Sequence, residues 1–230
     1  MDIKEKNKIS IIIPVYNEAK TINELLHNIE QFKAYSEIIF VDGGSNDGTN
    51  KIIEKYHRLV YSPKKGRSYQ MNYGATLAKG KILLFLHADS YLSHDALDKI
   101  NVIMSQGHKV GCFKIKFNSK SPIMKICGFM SNLRVRLRNI AFGDQGIFIE
   151  RNFFYKLGGF AEIPLMEDYQ LSIDIKKTGE KIVVANSIIE TSARRFIKQG
   201  RLKTMIKMQK AQHMYRKGVD IDKIVDLYKP

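Results

Sequence analysis

Three times within the first ninety residues, a short run of β-branched and aliphatic side chains is followed by a stretch with helical spacing. Ser10–Val15, Glu37–Val41, Leu59–Tyr61 and Lys81–Leu86 read as strands, the first two and the last apolar enough to be buried on both faces. Between them, Ile22, Leu25, Leu26 and Ile29 recur on one helical face, and residues 50–56 and 66–79 read as further helices. Alternation of this kind calls for a mostly parallel sheet with right-handed crossovers. In such sheets ligands bind beyond the carboxyl ends of the strands. Polar clusters fall at three of those ends: Tyr16–Glu18, Asp42–Thr49 and His87–Asp89. Separate strands thus deliver reactive side chains to one rim.

The pattern changes after residue 90. Residues 93–104 read as a helix and 110–117 as an alternating strand, while 121–141 interleave apolar positions with Arg134, Arg136 and Arg138. A strand over 146–150, a helix ending at Gly158-Gly159, a helix over 166–177 and a strand over 181–185 follow. From Thr191 the chain reads as basic helix to about Tyr215, with a short helix to close. There is no internal repeat and no low-complexity linker. The expected organisation is a Rossmann-like α/β domain over 1–190, with halves at 9–90 and 91–190, and a helical tail over 191–230.

Thirty-eight Lys and Arg against 23 Asp and Glu give a formal charge of +15, which favours an anionic partner. A nucleic-acid binder would need base-stacking aromatics set in a basic groove. Here the basic residues are dispersed or gathered in the tail, and tryptophan is absent. Cys112 and Cys127 have no metal-ligand spacing and define no disulfide framework, so a reducing interior is expected. Met1–Lys8 lacks the apolar stretch of a secretory leader, and no apolar run approaches the ~18–20 residues that span a bilayer. The expected location is cytoplasmic, with peripheral contact at the inner face of a membrane.

The Gly-rich segment Asp42–Thr49 lacks the lysine of a phosphate-binding P-loop and the dinucleotide fingerprint. Asp42 is better suited to accept hydrogen bonds from a base or ribose, while Asn46 or Asp47 suits a helix cap. His87 and Asp89 leave one strand end on the same side, where they can flank a divalent ion on a diphosphate or simply be solvated. Glu167-Asp168 opens a helix, where the dipole favours carboxylates and where a general base for an attacking hydroxyl can also sit. Gly143-Asp144-Gln145-Gly146 reads equally as a tight turn or as a further polar cluster.

Ile-Ile-Ile-Pro-Val-Tyr-Asn-Glu18, Val-Asp-Gly-Gly-Ser-Asn-Asp-Gly-Thr49 and Leu-Phe-Leu-His-Ala-Asp89 together resemble the family-2 glycosyltransferases of the GT-A fold. Gly143–Gly146, Leu-Gly-Gly-Phe160 and Met-Glu-Asp168 continue the resemblance in order, over residues 9 to about 180. Within the family the chain is similar to a small subgroup with His-Ala-Asp, Gly-Asp-Gln-Gly and Ser-Ala-Arg-Arg-aromatic motifs. The resemblance implies that Pro14, Tyr16, Glu18 and Asp42 line a nucleoside pocket, with Arg67 near the diphosphate. It also implies that Asp89 holds Mg2+ or Mn2+ and that Asp168, paired with Glu167, is the base of an inverting displacement. Asp144 and Gln145 are carried over as donor-side contacts, and Arg194 or Arg195 as a contact of the leaving diphosphate. His87 stands where the family has an aspartate, and imidazole suits Mn2+ better than Mg2+. The Gln-x-x-Arg-Trp motif of processive synthases is absent.

The expected activity is therefore transfer of a single sugar, from a donor that is most simply UDP-linked, to a lipid or small-molecule acceptor. A sugar-phosphate nucleotidyltransferase would need a Gly-rich signature with an activating cation after the first strand, which Pro14–Glu18 does not supply. A nucleotide-binding relative without transfer activity is the other reading. In the tail, no acidic residue occurs between Glu190 and Asp220. Leu202, Met205, Ile206, Met208 and Tyr215 fall mainly on one side of a helix and Lys203, Lys207, Lys210 and Lys217 on the other. Either the apolar side covers the catalytic domain, or the helix lies on an anionic membrane.

Overall fold

The computed structural model describes residues 8–228, with all side chains in that span except those of Arg195, Lys198 and Gln199. The first half runs β1 (Ile9–Val15), α1 (Ile22–Glu30), β2 (Glu37–Asp42), α2 (Thr49–Ile53), β3 (Arg58–Tyr61), α3 (Arg67–Leu77) and β4 (Ile82–Phe85). Then come β5 (Ser90–Leu92), α4 (Ala96–Ser105), β6 (Val110–Asn118), α5 (Pro122–Arg138), a 3-10 turn at Gly143–Gln145, β7 (Ile147–Glu150) and α6 (Arg151–Lys156). The chain continues through α7 (Glu167–Lys177), β8 (Val183–Ser192), α8 (Arg194–Gln199), α9 (Arg201–Arg216) and α10 (Ile221–Tyr228).

The eight strands form one mixed sheet in the order β3-β2-β1-β4-β7-β6-β8-β5. β1, β2, β3 and β4 are mutually parallel, β7 is antiparallel to both β4 and β6, and β8 runs parallel to β6 and antiparallel to β5. β4 and β5 are joined by only Leu86–Asp89 yet stand four places apart in the sheet. Five residue steps reach at most about 17 Å, whereas four strand spacings of a flat sheet cover about 19 Å. The sheet therefore has to curl, bringing β8 and β5 round to the carboxyl end of β4. This curl makes the concavity that holds the site.

Period-two alternation sorts the strands between two cores. Ile11, Ile13, Val15 and Phe40 pack on one face with Leu25, Ile29 and Ile100 from α1 and α4. Ile12, Ile39, Val41 and Phe85 pack on the other with Met71 and Ala75 of α3. A third cluster joins Ile140, Phe142, Met166 and Tyr169 to Ala211 of α9 and Ile224 of α10, so the C-terminal helices are seated on α7.

Three local expectations are corrected. The last strand does not end at Ala185: it runs to Ser192, because its residues 188–192 pair with Lys114–Asn118 of β6 and with β5. Thr191 and Ser192 are thus strand, and helix begins at Arg194. Strand β5 follows directly on the His87–Asp89 cluster and has no periodic signal of its own in three residues. In α9 the inward face is formed by Thr204, Ala211 and Gln212, while Leu202 and Ile206 are exposed to solvent. The expected apolar side therefore divides: Met205, Met208 and Tyr215 pack partly buried against the domain, and only Leu202 and Ile206 face solvent.

Candidate active site

The rim begins where β1 and β2 end. Gln70, buried in α3, donates its amide to both Val15 O and Val41 O at 2.8 and 2.7 Å, tying the two strand ends together. The carboxylate of Asp42 accepts from the N–H groups of Gly44 and Ser45, each at 2.9 Å, and from Ser45 Oγ at 2.5 Å. It thus shapes its own loop. Asp47 accepts from Thr49 N–H and from Ala19 N–H, both at 3.0 Å, which stitches that loop to the segment before α1, while the N-cap of α2 is Gly48, with no side-chain cap. Pro14, Tyr16, Glu18, Arg67 and Asp89 then wall an open cavity of about 260 Å³. The ring of Tyr16 is half exposed, with Lys65 Nζ 5.9 Å from its centroid.

Arg67 opens α3 directly after Gly66, whose φ of +129° few other residues adopt. Its guanidinium pairs with the buried carboxylate of Glu167. Met166 is a left-handed residue (φ 69°) just before α7. For a side chain of this size that is a strained turn, and after it Glu167 meets Arg67 while Asp168 meets Gly143. Asp168 Oδ2 accepts from Gly143 N–H at 2.8 Å. Burial, reinforced by Glu167 beside it, lifts the Asp168 carboxyl to about 6. That is the range in which a carboxylate is a serviceable base at neutral pH.

His87 lies against the same turn. A Cβ placed on Gly143 would collide with His87 Nε2, stand 2.6 Å from His87 Cε1 and lie 3.4 Å from Asp168 Oδ2, so glycine is required there. Burial, with Arg67 adding to it, pushes His87 down to about 3, so the imidazole is neutral, and its Nε2 has no hydrogen-bond partner. Burial raises Asp89 and Asp144 too, opposed by Arg194 and Arg134 respectively. Asp144 Oδ1 is also buried without a partner.

A second cavity, of about 200 Å³, shares Arg67, His87 and Asp89 with the first and extends to Asp144 and Asp168. Its far wall comes from β8, α8, α9 and α10, including Phe196, Met208, Gln212 and Tyr228. Two chambers thus meet at three side chains.

Of the residues singled out in the sequence, Pro14, Tyr16, Glu18, Arg67, His87 and Asp89 come together on the first chamber, and Asp144 and Asp168 on the second. Glu167 stands beside them through Arg67. Arg194 reaches Glu18 with an N–O separation of 3.4 Å, so the tail overlooks the first chamber as well. Gln145 is instead committed to the fold: its Oε1 accepts from Arg134 at 2.7 Å, and Arg134 stacks 4.0 Å from the centroid of the Phe142 ring. The side chain of Arg195 lies outside the described residues. Sequence reasoning missed Gln70 and the wall residues Phe196, Met208 and Gln212. Gln70 alone carried a signal, as a polar residue on the buried side of a helix.

Among the described residues, no group of three or more His, Cys, Asp or Glu side chains gathers to hold a metal ion. A divalent ion bound at a diphosphate takes most of its ligands from phosphate and water and needs only one or two carboxylates. Asp89, shared by both chambers, fits that demand. His87 Nε2 is walled by Gly143, which leaves Asp89 the better-supported ligand.

A curled mixed sheet with its polar rim at the ends of β1, β2 and β4 is the architecture of GT-A glycosyltransferases. The chain belongs to glycosyl transferase family 2, whose family model matches residues 10–158. The structure resembles the mannosyltransferase PcManGT from Pyrobaculum calidifontis, solved with GDP-Man and Mn2+, with a TM-score of 0.68 at 18% identity over 91% of this chain and 62% of that one. It also resembles Staphylococcus aureus TarS 1-349 in complex with UDP-GlcNAc, with a TM-score of 0.65 at 20% identity over 80% and 58%. In sequence it is 36% identical over 110 residues to an uncharacterised glycosyltransferase of Haemophilus influenzae, covering 44% of each chain. It is 28% identical over 151 residues to the undecaprenyl-phosphate 4-deoxy-4-formamido-L-arabinose transferase of Pseudomonas fluorescens, covering 60% of this chain and 44% of that protein. The chain spans less than half the length of these curated relatives.

Proposed function

We propose that this protein is an inverting glycosyltransferase that moves one sugar from a UDP-linked donor to a lipid or small-molecule acceptor. The observation that carries the reading is the meeting of two chambers at Arg67, His87 and Asp89, with Asp168 beside the junction. In this reading the nucleoside lies in the chamber of Pro14, Tyr16 and Glu18, and the sugar points past Asp89 into the second. Asp168 takes the proton of the acceptor hydroxyl as its oxygen attacks the anomeric carbon, on the face opposite the nucleotide. Arg67 stands where the diphosphate leaves, and Glu167 holds it there. Asp89, with His87 nearby, would hold a Mg2+ or Mn2+ ion, which would supply positive charge to offset the charge of the departing diphosphate. Arg194, drawn over the first chamber by Glu18, is a second cation for that group.

The names of relatives support the donor class: one structural neighbour was solved with UDP-GlcNAc and another with GDP-Man and Mn2+. A thermal-shift panel of UDP-, GDP-, CDP- and dTDP-sugars, each with and without Mn2+, tests it. A donor at 100 times its dissociation constant adds about 2.7 kcal/mol of stability. The largest shift is expected with a UDP-sugar and Mn2+; no shift with any donor would defeat the proposal.

The reading includes an anionic membrane as the place where the acceptor is met. Helix α5 exposes Ile126, Phe129, Met130 and Leu137, which share one face at helical spacing, and Leu202 and Ile206 of α9 are exposed too. No Asp or Glu occurs between Asp98 and Asp144 or between Glu190 and Asp220. Apolar stripes set in acid-free, Lys- and Arg-bearing helices suit a bilayer surface with negative headgroups. Among the described residues, no helix is long and apolar enough to cross a membrane.

A further inference from the structure

Of the three arginines near the end of α5, Arg136 and Arg138 face solvent, whereas Arg134 is turned inward and partly buried. The helix stops at Asn139, a left-handed residue (φ 58°). Its Nδ2 donates to Glu180 O at 2.8 Å and its Oδ1 accepts from Ile182 N–H at 2.7 Å. The chain turns back there, and residues 140–145 run past the Arg134 side chain. Arg134 Nε donates to Ile140 O at 3.1 Å and Nη2 donates to Gln145 Oε1 at 2.7 Å. Between these contacts the guanidinium lies 4.0 Å from the centroid of the Phe142 ring. One side chain thus grips the segment at both ends and in the middle.

The segment carries Gly143 and Asp144 between those grips, and it leans on α7. Ala141 exchanges two hydrogen bonds with Ser172 Oγ, each of 3.0 Å, and Gly143 N–H donates to Asp168 Oδ2 at 2.8 Å. Gln145 is fully buried, and its Oε1 accepts from Phe142 N–H at 3.4 Å as well as from Arg134. Arg134 itself lines neither chamber. It reaches the reacting groups only through the turn.

We propose that Arg134 is a positioning residue, which fixes the Gly143–Gln145 turn so that Gly143 N–H holds the Asp168 carboxylate in the orientation that transfer needs. Its effect on turnover rests on the transferase reading, with Asp168 as the base; the grip itself does not. Arginine suits the task because its planar fork meets acceptors in fixed directions while its face stacks on a ring. Lysine offers a point charge without the plane. Helix α7 is anchored separately, by Leu171 and Ile175 in the core. Loosening the grip therefore moves the turn, and the carboxylate loses its donor.

Phe142-Gly143 is the only Phe-Gly step in the chain, so labelling phenylalanine carbonyls with 13C and glycine amides with 15N isolates the Gly143 signal by NMR. In the full, ligand-free chain, Arg134→Met should move that signal towards its position in Asp168→Ala, with most other glycine signals unmoved. Arg134→Lys should do the same, since charge without the fork does not hold the turn. UDP release from UDP-GlcNAc or UDP-glucose, with water as the attacking hydroxyl, should fall by about 10–10²-fold in kcat, the scale on which ~1 Å of misplacement acts. Affinity for UDP with Mn2+, read by calorimetry, should stay close to unchanged. A Gly143 signal unmoved in the arginine variants would overturn the proposal. So would full UDP release from them, or a loss that tracks UDP affinity. Gln145→Met, which removes one acceptor of the grip, supplies the same reading of Gly143 if the arginine variants do not fold. If the unaltered protein releases no UDP from either donor, the transferase reading fails, and the Gly143 signal still decides whether Arg134 holds the turn.

Discussion

Arg67 and Glu167, 100 residues apart in the chain, form an ion pair at the junction of the two chambers. The pair separates the roles of two adjacent carboxylates. Glu167 is nearly inaccessible and its charge is answered by a guanidinium. Asp168 faces the second chamber, accepts one hydrogen bond from Gly143 and another from Tyr169 N–H, and has an elevated pKa. The first is built to hold a cation in place and the second to take a proton.

Asp168→Asn should therefore cut kcat by about 10²–10⁴, the usual cost of a lost general base, with donor KM close to unchanged. Asparagine keeps the oxygen that accepts from Gly143, so the turn should persist. Glu167→Gln should act differently, weakening donor binding by loosening Arg67. Steady-state kinetics on both variants separates the roles. Full activity in Asp168→Asn with loss in Glu167→Gln would mean that the base is the other carboxylate.

The elevated pKa of Asp168 sets two opposed pH trends. Catalysis needs the ionised carboxylate, so kcat should rise with pH through about 6 and level off above it. Stability runs the other way. The proton is held more tightly in the folded chain than in the unfolded one, where the ordinary value is 3.8, so this group favours folding at low pH. That contribution is lost as pH rises from about 4 through about 6. Asp168→Asn should flatten both profiles and raise stability at pH 8 by ~1–3 kcal/mol, measured by denaturant unfolding across pH 4–8.

Gly143→Ala should drive a methyl group into the His87 ring, since a Cβ at this position would stand 2.6 Å from Cε1, far inside van der Waals range. Relief by shifting the turn would carry Asp168's hydrogen-bond donor with it. Overpacking of this kind costs about 1–3 kcal/mol, and kcat should fall alongside. The double variant Gly143→Ala/His87→Ala should recover much of the lost stability. Additive losses in that double-mutant cycle would show that the two residues do not meet.

Much of this was legible in the chain because each early strand announces itself twice, by a β-branched run and by the polar cluster that ends it. Ile11 to Val15, Ile38 to Asp42 and Ile82 to Leu86 lie where that pattern put them. β5 and the second half of β8 did not announce themselves. Three residues cannot carry a period, and Ile188–Ser192 is held in the sheet by β6 and β5, neighbours that exist only once the sheet has curled. The far wall of the second chamber was hidden for the same reason. Met208 and Gln212 look like any helix residues until α9 docks through Thr204 and Ala211, residues too small or too polar to mark a buried face in the sequence.

Removing metal should expose the role of Asp89. With EDTA, donor affinity is expected to fall by at least tenfold, and Mn2+ should restore it at lower concentration than Mg2+ if His87 contributes a nitrogen. Asp89→Asn should bind donor weakly with or without Mn2+, whereas His87→Asp should keep the metal dependence and move the preference towards Mg2+. Titration calorimetry with UDP reads all of these. Donor affinity indifferent to EDTA would remove the metal from the reaction.

The exposed stripe on α5 makes the membrane test specific to residues rather than to net charge. Phe129→Ser with Met130→Ser removes two large apolar side chains that are more than half exposed, so folding stability should change little, within about 0.5 kcal/mol. Binding to vesicles containing 30% phosphatidylglycerol should fall several-fold, because those side chains would no longer enter the interface. Reversing Lys203 and Lys210 to Glu should instead weaken binding most at low salt and flatten its dependence on added salt. Each lysine contributes roughly 1 kcal/mol near an anionic surface and is screened within about 8 Å at physiological salt. A flotation assay at 50 and 300 mM salt distinguishes the two effects. If the unaltered protein stays unbound at 50 mM salt, α5 and α9 do not dock on lipid and the membrane part of the proposal is wrong.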